Sequence, residues 1–292
     1  MSNKKSLSIL VTGSSSGFGK LTAKTLAKAG HQVFASMRGV TGKNEDKAQQ
    51  FRDWAAEENL HLEVVELDIT DQNSVDNAMR SILEKAGRID VVVNNAGTGN
   101  VGVLEGYTIE QMQQIFDVNV FGAFRVDKAV LPLMRRQGSG LLIHVSSTAG
   151  RIAVPFVSPY AAAKHALEAI AEEFSFELAP FGVESVLIEP GSFGTEAFGK
   201  LFLPADDEAL AGYGEMATQP QAMFSEMAAM LSRPGAPDPQ LVADAVQAVI
   251  EAPVGERPLR TVVGPLTTAG MDSLNKAYVA SKQELLAEMG AA

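Results

Sequence analysis

Short apolar runs alternate with amphipathic stretches along most of the chain. Seven runs read as strands: "LSILVTG", "HQVFASMRG", "LEVVELDIT", "IDVVVNNAG", "GLLIHVSS", "VESVLIEPG" and a last one in "RPLRTVVG". Between them, "FGKLTAKTLAKAG", ending at Gly30, and "DQNSVDNAMRSILEKAG" carry helical spacing. A long helix is predicted over 108–138, opened by Thr108 and Gln111 as a capping box. Another starts in "SPYAAAKHALEAI", with Ser158 as N-cap and Pro159 as the first helical residue, and runs to a stop near Gly182. "DPQLVADAVQAVIEAP" gives a further amphipathic helix.

The strands are near-continuous Val/Ile/Leu runs rather than alternating ones, as expected for a parallel sheet buried between helix layers. Strand–helix alternation predicts a single-domain, doubly wound α/β fold across residues 1–292. Right-handed crossovers bring the strand carboxyl ends to one edge, where such sheets bind ligands. The polar, glycine-rich segments "TGSSSGFG", "SMRG", "LDIT", "NNAGTGN", "SSTAGR" and "EPGSFGT" all follow strands and gather there. Residues 192–240, rich in Met, Phe, Ala and Pro, break the rhythm and read as a partly helical insertion over that edge.

Composition narrows the chemistry. A formal charge of −11 argues against nucleic acid or an anionic membrane as the main partner. The chain has no cysteine, which excludes thiolate catalysis and disulfides. Its four scattered histidines show no metal-ligand spacing, so no metal is expected. No apolar run reaches membrane-spanning length, and the expected setting is the cytoplasm.

In "VTGSSSGFGK", Gly13, Gly17 and Gly19 stand between a strand and a helix, with Ser15, Ser16 and Phe18 among them. Glycines there permit a tight turn and close backbone approach to a pyrophosphate, and the helix N-terminus favours its charge. "SPYAAAK" places Tyr160 and Lys164 one turn apart on one helix face, a spacing that an ordinary solvated helix also shows.

The Gly-x-x-x-Gly-x-Gly spacing after Thr12 resembles the short-chain dehydrogenase/reductase family, and the resemblance runs in order over roughly residues 7 to 195. It implies a Rossmann-like fold, a C-terminal helical substrate-binding extension and a nicotinamide cofactor. Asp68, with Ile69 beside it, matches the acidic residue near the adenine. Asn95, Ala96 and Gly97 of "NNAG" match the motif beside the cofactor. The segment "PGSFGT", with Pro190, Gly191, Phe193 and Thr195, matches the one that touches the nicotinamide. Asn119, Ser147, Tyr160 and Lys164 match the catalytic set, with Ser147 thirteen residues before Tyr160. Met37 stands where NAD-preferring members carry Asp and Arg38 where NADP-preferring ones carry Arg, so NADP(H) is the expected cofactor; a guanidinium binds a 2′-phosphate bidentately.

The resemblance also assigns roles. Tyr160 is the general acid/base, and an ammonium at Lys164 lowers its pKa and bonds the nicotinamide ribose. Ser147 polarises the substrate oxygen, and Asn119 holds a water that links Lys164 to solvent. The expected reaction is hydride transfer between NADP(H) and a carbonyl or secondary alcohol. Met and Phe residues over 216–230 point to an adaptable apolar pocket and a hydrophobic small molecule, steroid-, retinoid-like or aromatic. With Asp206, Asp207 and Glu208 they form either a lid or a solvated loop and a packed helix. His144 is expected to be a satisfied core histidine, and His165 to lie off the reacting face. Family members are often homodimers or homotetramers through the long helices after the fourth and fifth strands. Two other readings share the fold. A non-catalytic dinucleotide-binding regulator usually loses the tyrosine or lysine, both kept here; a sugar-nucleotide epimerase or dehydratase tends to use other glycine spacings and a larger C-terminal domain.

Overall fold

A computed structural model of the protein describes residues 6–196 and 201–290. Residues 197–200, within the predicted 192–240 insertion, lie outside the described residues, as do both extreme termini. Seven strands, β1 (Ser8–Val11), β2 (Gln32–Met37), β3 (Leu62–Glu66), β4 (Val91–Asn94), β5 (Gly140–Val145), β6 (Val183–Pro190) and β7 (Arg260–Val263), form one sheet. The order is β3-β2-β1-β4-β5-β6-β7 and every pairing is parallel. This is the predicted single-domain, Rossmann-like doubly wound fold. The order reverses between β1 and β4, which opens a crevice at their carboxyl ends.

Side-chain alternation divides each continuous apolar run between two layers. Ile9, Val11, Val33 and Ala35 face one way, against α1 (Gly17–Lys28), α2 (Glu45–Glu57) and α9 (Gln240–Glu251). Leu10, Phe34, Val92 and Leu142 face the other way, against α3 (Gln72–Ala86) and α5 (Gly122–Gln137). On that second face α6 (Ser158–Glu177) lies over β6, where Ser185 Oγ donates to the Ala171 carbonyl at 2.8 Å.

The helices depart from the sequence pattern at three places. Helix α2 was not foreseen: its sequence is largely polar, and only Ala48, Phe51 and Ala55 are buried, at helical spacing. The predicted 108–138 helix is broken into α4 (Ile109–Phe116), a π turn over Asp117–Phe121, and α5. Its capping box is present, with Thr108 and Gln111 bonding reciprocally. At the start of α6, Val157 occupies the N-cap, and Ser158 is already helical and caps nothing. Beyond β6 the chain forms α7 (Asp207–Ala211) and α8 (Gln219–Leu231), and it ends in α10 (Met271–Glu288).

Helix α10 docks through charge more than through apolar area. Arg260 on β7 is nearly buried and reaches three carboxylates: Glu168 at 3.1 Å, Glu172 at 2.7 Å and Glu189 at 3.2 Å. From α10, Asn275 donates to Glu189 at 2.9 Å, Tyr278 donates to Glu172 at 3.0 Å, and Lys282 pairs with Glu172. The Tyr278 ring carries the guanidiniums of Arg151 and Arg260, 4.3 and 5.1 Å from its centroid. Burial and the neighbouring Glu168 push the Glu189 carboxyl up to about 7. Removing one partner from such a buried set costs about 3–5 kcal/mol, because the charges left behind are uncompensated. Arg260→Met is therefore expected to lower the unfolding free energy by about that amount, read from the urea midpoint at constant m-value.

Candidate active site

The glycine turn is fixed from outside by β4. Buried Thr12 accepts on Oγ1 from the amides of Asn95 and Ala96, both at 3.0 Å, and its carbonyl accepts from Asn95 Nδ2 at 2.8 Å. The two turns come so close that a Cβ on Gly13 would lie 2.8 Å from Ala96 Cα, and Gly13 also holds φ +68°. A Cβ on Gly19 would run into the Asn95 amide and the Gly13 carbonyl. Ser15 lies in the turn and Ser16 is the N-cap of α1, its hydroxyl making no capping bond to the helix. Glycine backbone, serine hydroxyls and the α1 N-terminus together make a cradle that suits a diphosphate. Phe18 points away from it and packs edge-on to Phe193, ring centroids 5.6 Å apart.

Two loops flank the cradle on the β2 side. Arg38 is exposed and stands 3.8 Å from Asp68. Its turn is stapled: Asn44 donates to the Arg38 carbonyl at 2.7 Å, and Glu66 accepts from the amides of Gly39 and Val40. Burial disfavours charge on Asp68, but bonds from the Thr70 hydroxyl and amide, with Arg38 and Lys43 nearby, hold its carboxyl below the usual range. The Ile69 side chain is in the core, and a Cβ on Gly122 would meet it at 2.6 Å, so only its backbone faces the edge.

On the β5 side the structure brings the four matched residues together. Ser147 caps a short turn, accepting from the Ala149 amide at 3.1 Å, and its hydroxyl lies near enough to the Tyr160 phenol to pull that group's pKa down. Lys164 is buried one turn beyond, its Nζ 5.7 Å from the Tyr160 ring centroid and donating to the Val145 carbonyl at 2.7 Å. Asn119 lies in the π turn, a distortion found often at functional sites. Its carboxamide donates to the Thr98 and Ile115 carbonyls, both at 2.9 Å, and accepts from the Thr98 amide at 3.1 Å. It therefore ties the loop after β4 to the helix. A Cβ on Gly97 would lie 2.9 Å from Asn119 Oδ1 and 3.8 Å from Lys164 Nζ, so glycine keeps that corner open.

The electrostatics differ from expectation in one respect. In the chain alone the Tyr160 phenol sits above its ordinary pKa, raised by burial against the pull of the Ser147 bond. Lys164 is itself pushed down to about 8 by burial, partly offset by Glu168. Its ammonium is engaged by the Val145 carbonyl.

The fourth segment, after β6, closes the crevice. Pro190 ends the strand, and a Cβ on Gly191 would collide with the Leu266 carbonyl. Phe193 is buried, and Thr195 Cβ would be 3.7 Å from a Cβ on Gly17, over the glycine turn. His165 is exposed and bonds only the Ala161 carbonyl, off the reacting face.

These features place the chain among dinucleotide-binding α/β oxidoreductases, and the comparisons agree. The profile of the short chain dehydrogenase family matches residues 8–205. The chain belongs to that family. Human retinol dehydrogenase 8 is 37% identical over 292 residues, covering 95% of this chain and 89% of that protein. The uncharacterized oxidoreductase YusZ of Bacillus subtilis is 40% identical over 211 residues, covering 70% of this chain and 73% of its own. The crystal structure of a short-chain dehydrogenase from Streptomyces avermitilis superposes with a TM-score of 0.76 at 29% identity, covering 98% of this chain and 96% of that one. The protein is a dehydrogenase/reductase whose fold binds NAD(P). Among the described residues no helix is long and apolar enough to cross a membrane.

Thr12 was visible in sequence only as the residue before the glycine loop; its part as the knot between two turns needs the β1–β4 pairing. A second feature lies under Lys164. His144, Asp127 and Asn94 are all buried, Asn94 Nδ2 donating to Asp127 Oδ1 at 2.6 Å, with His144 Nδ1 at 3.5 Å from Asn94 and 3.9 Å from Asp127. His144 is thus a core histidine but not a satisfied one, since its Nε2 lacks a hydrogen-bond partner. Burial, then Lys164, pushes it down to about 3. Burial pushes Asp127 up to about 8 against the Asn94 bond. With the folded pKa above the unfolded value of 3.8, the unfolded chain loses this proton first as pH rises. The stability it contributes is full below about pH 4 and is lost as pH rises through about 8. Urea denaturation at the two ends of that window is expected to show a smaller fall in stability for Asp127→Asn than for the wild type.

Proposed function

We propose that the protein is an NADP(H)-dependent oxidoreductase of the cytoplasm, acting on a carbonyl or secondary alcohol of an apolar small molecule with Tyr160 as general acid/base. The observation that carries this reading is the meeting of Ser147, Tyr160 and Lys164 at the crevice mouth beside the glycine cradle. A bound nicotinamide would supply or take the hydride. In the reducing direction Tyr160 gives its proton to the substrate oxygen while Ser147 bonds the same oxygen. The resulting tyrosinate is stabilised by the Lys164 ammonium, which turns from the Val145 carbonyl and restores the proton. Asn119 holds the loop that frames Lys164, and its π turn offers backbone carbonyls to a relaying water.

Preference for the 2′-phosphate rests on Arg38, exposed and only loosely engaged by Asp68. Ser15 adds support, since it lines a small cavity with Lys20, Lys24 and Lys47, a local positive field on a chain of net charge −11. An apolar substrate is supported by the exposed Ile152, Val154, Leu203, Met216 and Met223 around and beyond the crevice, and by the alcohol in the name of the retinol dehydrogenase relative. Residues 192–240 serve as the variable substrate region of a single domain. Self-association into a homodimer or homotetramer uses the outer faces of α5 and α6, where exposed Phe124 stacks on Phe174 beside exposed Phe121.

Two measurements test the reading. A panel of cyclohexanone, decanal, retinal and a steroid ketone, followed at the reduced-nicotinamide band, is expected to show turnover that Tyr160→Phe lowers by roughly 10²–10⁴-fold with NADPH binding intact; retained turnover refutes the assignment. Arg38→Ala is expected to weaken NADPH binding by roughly 10- to 100-fold, the worth of charge-assisted hydrogen bonds, and to leave NADH binding unchanged. Equal loss for both cofactors refutes the NADP(H) preference.

A further inference from the structure

We infer that Asn100 is a positioning residue that couples the seating of the segment after β6 to the placement of Tyr160. The inference rests on the proposed role of Tyr160 for its catalytic meaning, but the coupling itself stands on hydrogen bonds. The first amides of any helix lack partners within it, and α6 has no side-chain N-cap to supply one. Tyr160, the third residue of α6, finds one sixty residues away in sequence: its amide donates to Asn100 Oδ1 at 2.7 Å. Because that amide is a donor, the orientation of the carboxamide is fixed and its Nδ2 must face the other way. It faces Tyr107, donating to the hydroxyl at 3.0 Å, and the Tyr107 hydroxyl donates in turn to the Phe202 carbonyl at 3.1 Å. Burial pushes the Tyr107 phenol up to about 12, so it remains a donor at working pH. The bonds run in one direction, from Asn100 through Tyr107 to the backbone of the segment after β6.

The neighbours of Asn100 reinforce both ends. Asn100 and Phe202 form a parallel bridge, with the Phe202 amide on the Gly99 carbonyl at 2.9 Å and the Val101 amide on the Phe202 carbonyl at 3.0 Å. The Gly102 amide holds the carbonyl of Phe156 at 2.9 Å, just before α6. Phe156 has φ +67°, a left-handed conformation that a non-glycine residue keeps only when its surroundings hold it there. One buried carboxamide thus joins three pieces of backbone: the loop after β4, the first turn of α6 and the chain returning from β6. The seating of residues 201–211 is thereby tied to the first turn of α6 by way of Asn100.

The test uses the full chain with NADPH bound and needs no substrate. Backbone amide exchange reports the Tyr160 amide and the 201–211 segment. Tyrosine labelled at Cζ reports each phenol by its ¹³C titration; the chain has only 4 tyrosines. Asn100→Leu, nearly isosteric and apolar, is expected to speed exchange at Tyr160 and over 201–211, and to move the Tyr160 titration by about half a pH unit or more, as its register against Ser147 changes. Tyr107→Phe removes the hydroxyl bond to the Phe202 carbonyl but leaves the Asn100–Tyr160 bond. It is expected to speed exchange over 201–211 and, through the coupling, to shift the Tyr160 amide exchange and titration in the same direction as Asn100→Leu but by less. Asn100→Asp keeps an acceptor for the Tyr160 amide and loses the donor to Tyr107. It is expected to behave as Tyr107→Phe, and it decides the matter should Asn100→Leu not fold. Wild-type exchange and titration at Tyr160 in Asn100→Leu, or in both Tyr107→Phe and Asn100→Asp once 201–211 has loosened, overturns the inference. Because these readouts follow the position of Tyr160 and not turnover, they separate this inference from the role of Tyr160, which Tyr160→Phe kinetics test alone.

Discussion

The close approach of two backbone turns at the point where the strand order reverses governs the rest of this molecule. Val11 and Val93 pair in the sheet, and beyond them the chains must part to opposite helix layers. They do so with Gly13 against Ala96, and Asn95 donates twice to Thr12 across the gap. Buried amides that would otherwise lack partners are satisfied within this knot, so the turn is held by hydrogen bonding as much as by packing. The cradle at the α1 N-terminus, the open corner at Gly97 and the approach of Thr195 to Gly17 all take their positions from it.

From that point the fold invests buried polarity in the half of the sheet that carries the candidate chemistry. Lys164 is buried on a carbonyl, with Glu168 one turn further along the same helix. Glu168 in turn belongs to the ionic set around Arg260 that anchors α10. The candidate reacting lysine and the docking of the C-terminal helix are therefore linked through adjacent turns of α6. Below them, Asp127 and His144 are both driven toward their neutral forms by burial, so the sheet under Lys164 adds no compensating negative charge at neutral pH. Buried charge of this kind contributes little net stability, yet breaking one partner is expensive, which makes it a device for fixing geometry.

Much of the site was legible along the chain because its parts are local backbone demands. A glycine at φ +68°, a strand-end asparagine and a helix-borne tyrosine–lysine pair are each written in a few consecutive residues. The continuous apolar strands predicted a buried parallel sheet, and the two core layers follow from simple alternation along them. The polar helix α2 escaped notice because three apolar positions give too weak a periodic signal. The π turn at Asn119 escaped because one extra residue in a helical turn leaves the hydrophobic pattern almost unchanged.

By itself the sequence determined the fold class and the gathering of the post-strand loops at one edge, since periodicity and crossover handedness decide those, while its resemblance to the family named the residues at that edge. Only the tertiary structure decided how these residues are held. Ser158 is a good capping residue by type, yet the first turn of α6 is capped from Asn100. The Tyr160–Lys164 spacing suggested mutual titration, yet in the chain alone burial sets the direction of both shifts, opposed by Ser147 at Tyr160 and by Glu168 at Lys164. Arg260 reads as an ordinary strand-end arginine until three carboxylates from two elements close on it. These depend on groups brought together from as far as 92 residues apart, where desolvation and hydrogen-bond partners are properties of the packed chain and not of any segment.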